Sequence, residues 1–274
     1  MKKIINVICL ILILQLNSTA IAQTMSGSEF AKEIDENYSK LLSENIKERD
    51  QAVFFFSKLK KEELSKRVVD ALGELFQKEI KQTKGVYKIK KGAITGSSDE
   101  IASFNGENYG IYFGRLCEIV GKSGDRKMLP LLVAHCLESK VLTNFGDDAV
   151  ELVINHMSIS DNPIGKMNAL FVLDEMLKPK KEGYVASGEM RNKIKKALIQ
   201  ATLDKDRHVK SLSVKALGNS EDDDVIPILE KIAKEDPDHF FDKDISTGRK
   251  KAIYPVREEA EKALKKFKEK KLVK

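Results

Sequence analysis

Four histidines, His135, His156, His208 and His239, are the side chains best suited to acid–base work or zinc ligation, and their spacing supports neither. A zinc helix needs two imidazoles four residues apart so that both reach one ion, whereas these four stand on separate segments. His239 with Asp242 and Asp244 brings an imidazole and two acids together, but loop acids beside a lone histidine are ordinarily solvated. Asp222, Asp223 and Asp224 have the charge for calcium, yet a turn opening a helix explains them through the helix dipole without an ion. Ser97 and Ser98 follow Gly96 but lack the strand and helix of a nucleophile elbow, and Ser97 with Glu100 has capping-box spacing instead. No catalytic residue, metal or cofactor is therefore expected. Aromatic and basic residues interleave outside any periodic segment at Phe240, Phe241, Arg249, Lys250 and Lys251, and these five are the candidate binding residues.

The elements that would carry such residues read as helices. The chain has 274 residues, 42% hydrophobic, 7% aromatic and without tryptophan, which suits an aliphatic helical core. The stretch 204–234 is one helical hairpin. Val209, Leu212, Ala216 and Leu217 share a face, Gly218 is expected to stop the first helix by turning left-handed, the acids 222–224 cap the second, and Pro227 sits in its opening turn. A shift of 97 residues sets Gly121, Ser123, Asp125, Pro130 and Leu132 on Gly218, Ser220, Asp222, Pro227 and Leu229. A shift of 47 the other way sets Val256, Arg257, Ala263 and Leu264 on Val209, Lys210, Ala216 and Leu217. Self-similarity at such periods marks a repeat whose units bury their faces on one another.

The pattern Asp206, Val209-Lys210, Ala216-Leu217-Gly218, repeated as Val256-Arg257 and Ala263-Leu264, resembles the HEAT-repeat family, in particular the HEAT-like repeats of phycobilisome lyases. The resemblance is specific over about residues 107–271. It implies an all-α, right-handed solenoid of antiparallel helix pairs, a scaffold more often than an enzyme, in which Lys210 and Arg257 meet acids of neighbouring units.

Further helices are expected over 28–44, 46–60, 62–81, 108–120, 127–139, 149–157, 164–177 and 190–203, with a last one starting at Pro255. Phe54, Phe55 and Phe56 cannot share one face, so their helix is expected to be covered on two sides. Residues 82–106 and 237–254 break the periodicity as two loop inserts; in the first, Val86 to Lys90 alternates before Lys91-Gly92, a hairpin signal. The expected organisation is a signal peptide over 1–22, an N-terminal helical region over 23–106 and the repeats over 107–274.

Lys2 and Lys3, the largely apolar run of thirteen residues 4–16 and Ala20-Ile-Ala22 have the form of a cleaved leader, ending at Ala22 and directing the chain to the periplasm or outside. Thirteen residues fall short of the roughly 20 that span a bilayer. Cleavage lowers the net charge from +6 to +4, with +7 concentrated over residues 249–274. That basic end serves as a solvated terminal cap or touches an anionic envelope surface. Cys117 lies about one turn before the expected stop at Gly121, and Cys136 some nine residues into the next helix. An offset of roughly 9 Å at 1.5 Å per residue exceeds a relaxed bridge, so two buried thiols are expected. The function expected is a non-enzymatic exported adaptor for a protein partner. The alternatives are a lyase-like or cofactor-handling protein and a binder of anionic envelope polymer or lipid; export and modest basicity argue against nucleic acid.

Overall fold

The computed structural model describes residues 27–83, 89–90, 93–94, 109–178, 183–243 and 250–273. The expected leader over 1–22, Cys9, the Lys91-Gly92 turn, the capping pair Ser97 and Glu100, Asp244 and Arg249 lie outside the described residues. The chain is all-α in class and divides into two compact units, Met1–Ala71 and Leu72–Lys274.

The first unit holds α1 (Gly27–Leu41), α2 (Ile46–Lys58) and the first turns of α3 (Lys66–Thr83). The α2 helix begins where the Asn45 side chain accepts from Lys47 N–H at 2.9 Å. The Arg49 guanidinium, 5% exposed, donates to the carbonyls of Ser43 and Glu44 at 3.0 and 2.8 Å, so a buried cation ties down the α1–α2 turn. Helix α2 is covered on one side only, against expectation. Val53 and Phe56 are fully buried, while Phe54 is 46% exposed with the Lys58 ammonium 4.0 Å from its ring centre. The aromatic run is accommodated by a cation over its outward ring rather than by a second packing layer.

The second unit contains α4 (Tyr109–Ser123), α5 (Leu129–His135), α6 (Ser139–Leu142), α7 (Asp147–Ile159), α8 (Pro163–Leu177), α9 (Gly188–Ala201), α10 (Arg207–Asn219), α11 (Ile226–Glu235) and α12 (Pro255–Val273). Caps set the starts: Asn162 accepts from Ile164 N–H ahead of Pro163, and Asp206 accepts from the His208 and Val209 amides. Helix α8 packs on α10 and α10 on α12, while α7, α9 and α11 pack against α8, α10 and α12 respectively. Leu170, Leu173, Val209, Ala216, Leu217, Leu229, Val256 and Ala260 make the shared core.

The shift of 97 holds at the level of single hydrogen bonds. Ser123 Oγ donates to Val120 O and Ser220 Oγ to Leu217 O, both at 2.7 Å; the amides of Asp125 and Asp222 then donate back to those hydroxyls at 3.3 and 3.4 Å. A 3-10 turn follows each, Arg126–Met128 and Asp223–Val225, before α5 and α11. The left-handed residue is Gly124 (φ 69°) in one hairpin and Glu221 (φ 60°) in the other.

That placement corrects the expected helix stop. Gly218 lies inside α10 and Gly121 inside α4, both helical. Each is instead a notch. A Cβ on Gly218 would lie 2.5 Å from the Ala263 Cβ in α12, and one on Gly121 2.7 Å from Val141 Cγ1 in α6. Neither neighbour at Gly218 is the end of a flexible chain, so helix must part from helix. In an open helix, glycine to alanine stabilises by about 1 kcal/mol. Gly218→Ala is expected to do the reverse, destabilising by about 1–3 kcal/mol through overpacking, with Ala263→Gly recovering most of the loss in the double variant. Urea unfolding of the four proteins checks this.

The cysteines correct a second expectation. Cys117 and Cys136 form a disulfide, Cα to Cα 6.1 Å. Because α4 runs on through Gly121 to Ser123, Cys117 stands six residues, about 9 Å, from the turn. The expected 127–139 helix is broken, and α5 spans only Leu129–His135, leaving Cys136 about 10 Å back from the same turn. The two distances match, and the sulfurs meet.

The inserts are not plain loops where they are described. In the first, β1 (Ile89–Lys90) pairs antiparallel with β2 (Ala93–Ile94), as the alternation there suggested. In the second, β3 (Phe240–Lys243) pairs with β4 (Lys250–Ile253), Phe240 opposite Ile253, Phe241 opposite Ala252, Asp242 opposite Lys251 and Lys243 opposite Lys250. The paired β-branched and aromatic residues at the base make this ladder favourable, a signal the helical reading passed over.

Candidate binding surface

One edge of the second unit is where α7, α9 and α11 end and α8, α10 and α12 begin. Two equivalent clasps lie along it. In the first, Lys166 of α8 donates to Asp204 Oδ2 at 2.5 Å, and Asp204 Oδ1 accepts from Asp206 N–H at 2.8 Å. In the second, Lys210 of α10 bridges Asp236 and Asp238 at 3.1 and 2.9 Å, and Asp236 Oδ1 accepts from Asp238 N–H at 3.0 Å. Arg257 donates through Nε to the Asp236 carbonyl at 2.5 Å and lies over the Tyr254 ring. Lys210 and Arg257 thus both converge on Asp236, Lys210 on its carboxylate and Arg257 on its backbone carbonyl. Burial works against the Asp204 charge, but the Lys166 ammonium and the Asp206 amide outweigh it and hold its carboxyl below the usual range. These ions fasten helix ends.

Around the clasps the edge is apolar and open. Leu203 is 73% exposed at the end of α9, Ile159 70% at the end of α7 and Ile164 49% at the start of α8. A cleft of about 550 Å³ runs beside them, lined by Met157, Lys166, Ala197, Gln200 and Leu203 among others. The periodic faces did not single these residues out. Ile159 and Leu203 each stand three residues ahead of a capping residue, Asn162 and Asp206, and the signal available was an exposed-position apolar side chain three residues before an Asn or Asp cap.

The β3–β4 pair projects at the same edge, joined to it by Arg207 of α10, whose guanidinium sits 4.9 Å from the Phe240 ring centre. Of the sequence candidates, Phe240 and Phe241 come together here with Lys250 and Lys251, and Arg249 lies outside the described residues. Phe241 is 63% exposed, and its ring meets the His239 ring edge-on, which in turn lies against Tyr254. His239 Nδ1 is 3.0 Å from the Pro237 carbonyl. Lys250 and Lys251 are exposed, and no ion pair holds either among the described residues.

Most other cations of this unit are engaged. Lys195 of α9 meets Asp222 and Asp224 at 3.3 and 2.7 Å, and Arg191 meets Asp222 at 2.8 Å and also the Ser220 carbonyl. Asp222 and Asp224 therefore hold α9 to the α10–α11 turn. The Asp222 side chain makes no cap, unlike Asp125, whose carboxylate accepts from Lys127 N–H at 3.1 Å. On α12, Lys262 pairs with Glu259, Lys265 with Glu269 and Lys270 with Glu221, and Lys266 donates to Asn219. Much of the basic terminus thus bonds within the chain. Among the described residues no group of three His, Cys, Asp or Glu is arranged to hold a metal ion, and no helix is long and apolar enough to cross a membrane. No protein-family model and no curated protein matches the chain.

Proposed function

We propose that this chain is an exported, non-enzymatic adaptor, a HEAT-like right-handed α-solenoid of antiparallel helix pairs, that binds a protein partner along the edge where Leu203, Ile159 and Phe241 are exposed. That row carries the reading. Apolar side chains of this size gathered on one edge and rimmed by charge are characteristic of surfaces a partner covers. Repeated hairpins that agree bond for bond at a shift of 97 support the solenoid. The Cys117–Cys136 disulfide supports export, since such bonds persist in oxidising compartments. It also ties up both cysteines of the described residues, so a lyase-like chemistry based on either thiol gains no support.

The test places a photo-crosslinking residue at Leu203, at Phe241 or at the exposed Lys215 of α10. The same discrete adduct is expected from the first two positions and none from the third. The captured protein, purified, should bind the wild-type chain and lose at least ten-fold in affinity with Leu203→Asp, at unchanged thermal midpoint. An adduct confined to Lys215, or affinity indifferent to Leu203→Asp, overturns the reading.

A further inference from the structure

We propose that the outer edge of β4 receives an extended acidic segment of the partner as a third strand. The inference rests on the edge-binding reading and says what kind of segment docks there. Among the described residues β3 and β4 form a sheet of two strands, so each keeps one edge without a neighbour. An unpaired edge presents a row of backbone donors and acceptors, which is the template that strand addition uses.

The side chains say what would lie beside it. Successive strand residues point to opposite faces, so Lys250 and Lys251 present one ammonium on each face of the hairpin. A neighbouring strand with two consecutive carboxylates places one opposite each lysine, within cross-strand reach. The next two positions would meet Ala252 and Ile253, which are half-buried, and take apolar side chains. For a strand that adds parallel to β4, the required segment is therefore two acids followed by two apolar residues in extended conformation, and an antiparallel addition would need the reverse order.

Charge complementarity selects this occupant over a neutral or basic one. Lys166, Lys178, Lys193, Lys195, Lys210 and Lys270 have carboxylates within the chain. Lys196, Lys205 and Lys215 are exposed and make no ion pair among the described residues, but they lie on helices or the turn between them, whereas Lys250 and Lys251 are consecutive on a strand. Among the described residues Lys250 and Lys251 make no ion pair, though they stand on a short strand, where unpaired lysines also protect an edge against indiscriminate pairing. An acidic strand satisfies them and a basic one is repelled, so the same pair of residues both admits and filters. Phe241, exposed on the face it shares with Ala252, adds an aromatic contact for the apolar half of the segment.

The probe is a fluorescein-labelled ten-residue peptide with two consecutive glutamates followed by two valines, titrated by anisotropy into the full chain. The glutamate peptide should bind, the glutamine version at least ten-fold more weakly, and affinity should fall between 50 and 200 mM salt. Lys250→Glu with Lys251→Glu should abolish binding and instead admit the peptide with two lysines, at unchanged thermal midpoint. Methylation of alternate peptide nitrogens should weaken binding at least ten-fold; no effect of methylation overturns strand addition. Binding of phosphatidylglycerol vesicles through Lys250 and Lys251, with no peptide binding, overturns the proposal in favour of an anionic surface. Loss of peptide binding with the Leu203 adduct retained removes this inference alone; loss of the adduct as well removes the edge reading on which it stands.

Discussion

Lys210→Met is expected to lower the unfolding free energy of the second unit by about 3–5 kcal/mol, the effect of stranding a buried charge. The Lys210 ammonium is 12% exposed and the Asp236 carboxylate 8%. Methionine fills the volume of the lysine stem but leaves Asp236 facing a thioether, with only the Asp238 amide donating to its carboxylate. The penalty is the desolvation of an uncompensated anion, which far exceeds what a surface pair contributes. The identity of the cause can be read from a second variant. Lys210→Met with Asp236→Asn removes both charges and should recover most of the loss, because a neutral pair of similar volume is nearly equivalent to the ion pair it replaces. Urea unfolding followed by circular dichroism measures both; failure of the double variant to recover stability would exclude the stranded charge as the cause.

The same clasp has a pH signature. Burial tends to lower the Lys210 ammonium, but its bonds to Asp238 and Asp236 outweigh burial and raise it above the ordinary lysine value. A cation with a raised folded value stabilises fully below the unfolded one, about 10.4, and loses that contribution as pH rises through the folded value. The difference between wild type and Lys210→Met should therefore be constant about neutral pH and shrink as alkali removes the Lys210 charge.

Removing the disulfide with Cys117→Ala and Cys136→Ala is expected to cost about 3 kcal/mol, appropriate to a loop of this length, the cysteines being 19 apart in sequence. The thermal midpoint should fall by roughly 6–12 °C. Both residues are nearly buried, 3% and 4% exposed, so reductant should act only as the hairpin opens. In the native protein alkylating reagent should label neither cysteine, and unfolding in reductant should expose both. Labelling of either in the native, unreduced protein would contradict the bridge.

The bridge also marks where sequence reasoning stopped short. Sequence placed the helices because apolar spacing and caps act over one or two turns, and those forces are local. Asn45, Asn162 and Asp206 begin α2, α8 and α10 by side chains that accept from amides two residues on. The repeat was legible for the same reason: the aligned Ser123 and Ser220, Asp125 and Asp222, and Pro130 and Pro227 each specify the turn and the next helix start within a few residues. Gly121 and Gly218 matched correctly by number, yet their role could not be read from their surroundings in the chain. What they accommodate, Val141 and Ala263, lies 20 and 45 residues away.

The candidate site followed the same division. Phe240, Phe241, Lys250 and Lys251 stood out as an interleaving of aromatic and basic residues, and antiparallel pairing joined them on one hairpin. Ile159, Ile164 and Leu203 did not stand out, since each alone is an ordinary apolar residue near a helix end. Sequence by itself determined the all-α class, the approximate helices, the repeat unit and the aromatic–basic pairs at 240–241 and 250–251. Tertiary structure alone decided that Cys117 meets Cys136, that the two glycines are notches, that Lys210 and Arg257 share Asp236, and that three helix-end residues line one edge. These depend on which residues distant in the chain are brought within a few ångströms, a result of the whole packing that no local propensity encodes.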